Sequence, residues 1–288
     1  MFESLINPKK AERKPYEMFF IGLLYTILSI LLANWLFASS SIFAKHIPIV
    51  IVFFIVNFSI PFMFYTIILE EKKDKNVKSE LVLLREHGKA LAAFTFLFLG
   101  FVVAFSAYYV LVPGTAAENF RTQIETYCQI NSYSERQFND CVTTYVTSKS
   151  STSVTSSFIA KDIFDIFQNN FYVMLLSILF SFFFGAGAIF ILTWNASVIG
   201  AAIGIFAKSL YNLPIGFLRF MIHGLPEIFA YFVAGLAGGI ISVAIIRHDF
   251  ASDKFKKIMM DALDLIIIAI VILFVSALIE VFITPLLF

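Results

Sequence analysis

The sequence predicts an all-α fold, a polytopic integral membrane helical bundle of about seven spans with a re-entrant or broken helix and an extracytoplasmic helical hairpin. Three observations predict it. Hydrophobic residues make up 59% of the 288, including 36 phenylalanines, and only 14% are charged. A soluble chain of this size needs a charged exterior. Long apolar stretches recur, and crossing a hydrocarbon core of ~30 Å takes roughly 20 apolar residues. Basic residues gather in alternate short loops, as they do on the cytoplasmic side of a membrane.

The elements follow in order. Residues 17–37 form a first span after Lys9, Lys10, Arg13 and Lys14. Trp35, Leu36 and Phe37 stand where a cleavable leader would carry small residues, so this span is expected to be retained. A second span covers 47–69. The loop 70–89 holds six basic residues, and its stretch "SELVLLREHGKAL" reads as a short amphipathic helix capped by Ser79. Arg85, Glu86 and His87 there read as a solvated face. The third span covers 90–112. Further spans are expected at 171–193, 196–212, 227–246 and 262–286, with four more basic residues at 247–261. These loops place the N-terminus in the cytoplasm and the long loop outside. Parity then requires 196–212 to cross outward, leaves 213–226 as an outer re-entrant piece, and puts the C-terminus outside. The expected location is the plasma membrane. Three regions result: 1–112 with the first three spans, 113–168 as the extracytoplasmic loop, and 169–288 as the membrane core. No compact basic patch interleaved with aromatics appears, so no nucleic-acid partner is expected.

The outer loop begins at Pro113-Gly114. Thr115 with Glu118 and Ser134 with Gln137 read as capping boxes for helices at about 116–130 and 135–147. Cys128 and Cys141 fall one on each helix. Outside a cell such a pair oxidises, which predicts a stapled hairpin. "SKSSTSVTSS" at 148–157 reads as a polar linker. "FIAKDIFDIF" at 158–167 reads as an interfacial amphipathic helix, with Ile159, Ile163, Ile166 and Phe167 on its apolar face.

Within "MIHGLPEIFA" (221–230), His223 and Glu227 are four residues apart and share one helix face. Pro226 removes an N–H and leaves the carbonyl of Ile222 without its helical donor. Gly224 admits close approach. Three uses compete: hydrogen bonds that hold a helix break, a transport site at a broken helix, and acid–base or metal chemistry. The chain has no H-E-x-x-H and no Gly-x-Ser, and no other histidine falls within an expected span. No catalytic residue, metal or cofactor is therefore expected. Asn195, Lys208, Arg219 and Glu280 complete a candidate polar cluster at the outer level, with Glu227 or Glu280 paired to Lys208 or Arg219. Small-residue stripes at Ala196, Gly200 and Gly204, and at Ala230, Ala234 and Gly238, would pack the fifth span on the sixth, with Gly185 and Gly187 letting the fourth join them. The same stripes would also serve a homodimer.

Two stretches carry a family resemblance. "NNFYVMLLSILFSFFFGAGAIFILTWNASVIGAAIG" (169–204) and "FLRFMIHGLPEIFAYFVAGLAGGIISVAI" (217–245) resemble the core of the stage II sporulation protein M family. The shared features are Asn195 with Gly200 and Gly204, the His223-Gly224-x-x-Glu227 segment, and the Ala/Gly-rich helix after it. Here Pro226 precedes Glu227, whereas bacterial members commonly carry Leu-Pro after the glutamate. The resemblance implies a polytopic membrane protein without known catalysis. Its bacillary members anchor wall-degrading partners. The expected function is thus a non-enzymatic membrane scaffold or anchor that recruits partners or shapes the bilayer. A transporter or permease component is the alternative. The expected contacts are the lipid bilayer and membrane or cell-surface proteins.

Overall fold

A computed structural model of the chain describes residues 8–40, 43–73, 80–132, 134–146, 163–184, 187–247 and 252–288. The elements are α1 (Pro8–Arg13), α2 (Glu17–Phe37), α3 (Ile47–Lys73), α4 (Glu80–Leu111), α5 (Pro113–Asn119), α6 (Arg121–Ile130), α7 (Glu135–Val146), α8 (Ile163–Phe184), α9 (Ala188–Ala207), α10 (Leu213–Arg247), α11 (Asp253–Leu278), a π-helical turn (Ile279–Ile283) and α12 (Thr284–Leu287). No strand occurs among the described residues. Seven helices are long and apolar enough to cross a membrane: Glu17–Phe37, Ala44–Glu71, His87–Leu111, Ile163–Phe183, Ala188–Ala207, Leu210–Ile246 and Phe255–Leu287.

The number of spans matches the expectation, but two boundaries differ. The fourth and fifth spans separate after Phe184, not at Trp194–Asn195. Asn195 lies inside α9, where its side chain donates to the Ile191 carbonyl at 2.8 Å. An amide satisfied one turn back does not end a helix. The re-entrant piece at 213–226 is also corrected: it runs unbroken into 227–246 as one 35-residue helix with Pro226 inside it. A neighbouring side chain supports the carbonyls near the proline, as described below. At 1.5 Å per residue α10 is ~52 Å long, so it must tilt or project beyond a ~30 Å core.

α10 is the hub of the bundle. It touches α3, α4, α8, α9 and α11, and residues 230–240 are buried on every face. Small residues make this enclosure possible. A Cβ on Gly238 would stand 2.6 Å from the Ile178 carbonyl oxygen of α8. On the other side, the Phe232 ring stacks on Phe94 of α4, centroids 5.5 Å apart, and meets Phe98 edge-on. The stripes are used differently from the expectation. Gly200 and Gly204 pack on Phe105 and Tyr109 of α4, while Gly235 and Gly238 face Ala188 and α8. Another close approach had no sequence signal: Gly22 of α2 and Gly100 of α4 meet backbone to backbone. Gly185 lies outside the described residues.

The face assigned to solvent at His87 is corrected too. His87 Nδ1 and Glu70 Oε2 are 2.6 Å apart, and both side chains are fully buried between α3 and α4. Burying either group requires such a partner, and the helical hairpin supplies it across a separation of 17 residues. The side chains of Arg85 and Glu86, and the Ser79 cap, lie outside the described residues. So do the linker at 148–157 and the first part of the 158–167 helix. The rest of that helix is the first turn of α8, where Phe167 packs on Phe171 and Phe274.

The hairpin forms as expected, stapled by Cys128–Cys141 with Cα atoms 5.8 Å apart. Ser134 caps α7 by accepting from the Gln137 N–H. Thr115 does not cap its helix: α5 starts at Pro113, and the Thr115 hydroxyl meets the Tyr108 hydroxyl at 2.9 Å instead. Proline at the first helical position explains the earlier start. Phe120 sits buried among Phe105, Tyr108 and Tyr109 and plugs the hairpin base into α4. Asn119 donates to Asn34 and to Tyr108. Burial pushes the Tyr127 phenol up to about 12, with Tyr145 adding to the rise and Arg219 opposing it. Replacing both cysteines by serine removes about 3 kcal/mol of hairpin stability. Hydrogen exchange should then quicken across 121–146, while exchange in α4 and α10 stays unchanged.

Candidate polar site at mid-span

His223 and Glu227 project from one face of α10, with Pro226 between them in sequence. The last helix runs alongside and presents Ser276, Glu280 and Thr284 at successive steps of four. The Ser276 hydroxyl donates to the His223 carbonyl at 2.6 Å and lies 3.4 Å from Glu227 Oε1. One hydroxyl proton favours the shorter bond. The carbonyl that Pro226 leaves without its helical donor is that of Ile222, so this bond braces α10 one residue along from the interruption.

The Thr284 hydroxyl donates to the Ile279 carbonyl at 3.3 Å, and His223 Nδ1 lies 3.2 Å from the same oxygen. Thr284 has one proton to give. With that proton on Ile279, the hydroxyl accepts from His223, which places the histidine proton on Nδ1. The π-helical turn at Ile279–Ile283 carries Glu280 toward Glu227, and Asn170 of α8 lies near the same carboxylate. Three helices thus converge on one carboxylate.

Register sets the height of this site along the helices. The stacked Phe94 and Phe232 lie at one level on antiparallel helices. Equal counting from that pair sets Glu227 level with Leu99, the midpoint of the span His87–Leu111. His223, Glu227 and Glu280 come together near mid-span. Arg219 is four residues before His223 on α10, near enough for its charge to act on the imidazole, and its guanidinium lies 4.8 Å from the Phe206 ring centroid. Lys208 stands exposed at the end of α9, and Asn195 bonds within its own helix. Gly224 is buried near Met221.

Asn170, Ser276 and Thr284 were missed from the sequence. The spacing 276–280–284 within an otherwise apolar segment is the signal that could have found the last two. Asn170 gave none, because only tertiary packing brings it to α10. Among the described residues no group of three or more His, Cys, Asp or Glu is placed to hold a metal ion. The arrangement can fix a proline-containing helix and hold or pass a proton between His223 and the carboxylates. Ser276→Ala should lower unfolding free energy in bicelles by about 0.6–1.7 kcal/mol, the range for hydrogen bonds between membrane helices. Ser276→Thr, which keeps the donor, should lose less.

A family model described as SpoIIM, stage II sporulation protein M, matches residues 90–285, from the start of the third span through the terminal turn. Neither the curated proteins nor the solved structures contain a match to the chain. The family match takes in every group of the mid-span site, and on that extent the chain belongs to the stage II sporulation protein M family of membrane proteins.

Proposed function

We propose that the protein is a non-enzymatic membrane scaffold that presents its disulfide-stapled hairpin as a docking platform for membrane or cell-surface proteins. The observation that carries this reading is how the platform is mounted. The hairpin is tied internally by Cys128–Cys141 and fixed to the spans by Phe120 and by Asn119. Gln123 adds a bond to the Pro48 carbonyl at 3.4 Å. The outer turns of α7 are polar and exposed at Glu135, Arg136, Asn139 and Asp140. Below it, α2 and α4 meet at Gly22 and Gly100, and α8 and α10 meet at Gly238. Rocking of one bundle against another, as alternating access requires, would have to part these backbone contacts. Recruitment only needs them to stay closed.

A second reading, a transporter or permease component, is favoured by one observation: Glu227 faces Glu280 near mid-span, and ionisable groups at that depth mark ion or proton paths in other membrane proteins. The two readings separate in one pair of measurements. Photo-crosslinkers at Glu135, Arg136 and Asn139 in native membranes should capture the same partner from adjacent sites, and capture should fall when Cys128 and Cys141 are replaced by serine. Proteoliposomes should show equal, background proton and cation flux for wild type and Glu227→Gln. Flux that Glu227→Gln abolishes would favour transport and remove the scaffold reading.

A further inference from the structure

We propose that a cavity between α4, α9 and the start of α10 binds one acyl chain of an anionic phospholipid whose headgroup is held by Lys208 and Arg219. The cavity is an open recess of about 460 Å³ walled by Val103, Ala107, Ile203, Leu213 and Phe217. That volume falls within the range of small-molecule sites. Ser106 also reaches it, but its hydroxyl is spent on the Val102 carbonyl at 2.7 Å, so the wall offers no free polar group there. The lining belongs to three membrane-spanning segments, and the compounds that fill an apolar recess at that depth are lipid chains. A partner's spanning helix does not fit. With a diameter of ~10 Å and a pitch of 5.4 Å, one helical turn takes on the order of 400 Å³, so the cavity would hold about one turn.

Charge at the same corner selects the headgroup. Lys208 ends the helix that supplies Ile203 and begins the turn that leads to Leu213. It is exposed, and it is the one described non-glycine residue with a positive φ, 56°. Glycine or asparagine ordinarily takes that position after a helix. A lysine held there against its backbone preference places a cation at the mouth of the turn. Arg219 follows Leu218, another wall residue, and its guanidinium lies over Phe206 on α9. The surrounding surface is built for the lipid interface: Tyr211 is 93% exposed, and Leu210, Ile215 and Leu218 are exposed beside it.

The test is native mass spectrometry of the full chain, released from detergent with equal phosphatidylglycerol and phosphatidylcholine of matched chains. Wild type should retain one phosphatidylglycerol, preferred by about fivefold for each cation engaged. Ala107→Phe, which fills the cavity, should lose both lipids. Lys208→Gly should lose part of the phosphatidylglycerol preference while raising the melting temperature, because it relieves the backbone at φ 56°. Unchanged retention in Ala107→Phe, or equal retention of the two lipids by wild type, overturns the proposal. If Ala107→Phe does not fold, wild type decides alone. A diazirine on the acyl chain of phosphatidylglycerol should label peptides covering 103–107 and 213–218. Labelling spread evenly over the lipid-facing sides of α2 and α11, or a protein segment found in the cavity, overturns it as well.

Discussion

Close approach of backbones around α10 is the constraint on which the rest of the structure depends. In lipid, burying a leucine against another helix gains little over burying it in acyl chains, so packing depends on how near two helices can come. Gly238 lets α10 reach the backbone of α8, and Gly22 with Gly100 does the same for α2 and α4. The bulky aromatics then fill the other side, with Phe62, Phe94, Phe98 and Phe232 forming one stack across α3, α4 and α10. Close contact on one face and large rings on the other set the register of the bundle. That register determines where the polar groups fall.

Those groups fall within the long apolar helices. A proline inside a spanning helix leaves carbonyls that hydrocarbon cannot satisfy. Next to the Ile222 carbonyl that Pro226 leaves open, Ser276 of the last helix donates to the His223 carbonyl, and the π-helical turn beyond it brings Thr284 back to His223. The same face of α10 carries Glu227, with Glu280 on the helix that runs beside it. The other buried ionisable pair, Glu70 with His87, lies on α3 and α4 and ties the neighbouring ends of those two helices. Polar chemistry here serves first to join spans, and any proton movement would have to use the same bonds.

Much of the fold was legible from composition and charge. Apolar length and the alternation of basic loops are properties of single segments, and they gave seven spans with the hairpin on one connection. The cysteine pair was legible for the same reason, since both members sit on adjacent short helices. Three features were not legible. The break after Phe184 was masked because Asn195 looks like a terminator but bonds within its own helix. Continuity through Pro226 is accompanied by a tertiary bond to His223 from Ser276, 53 residues further on. The depth of Glu227 depends on the pairing of Phe232 with Phe94, which no local pattern reveals. His223, Glu227 and Glu280 were found because ionisable groups in apolar runs are conspicuous. Asn170 and Ser276 were missed because neutral polar residues in such runs are common.

The central claim is that α10 is one closed helix through Pro226, dry and packed at mid-span. Amide hydrogen exchange in lipid nanodiscs tests it most directly. The account predicts that residues 223–230 exchange slowly, close to the rate of 231–240, apart from the proline that has no amide. Exchange at 223–230 as fast as at 131 and 132, which follow α6, would mean a water-filled break, and would contradict it.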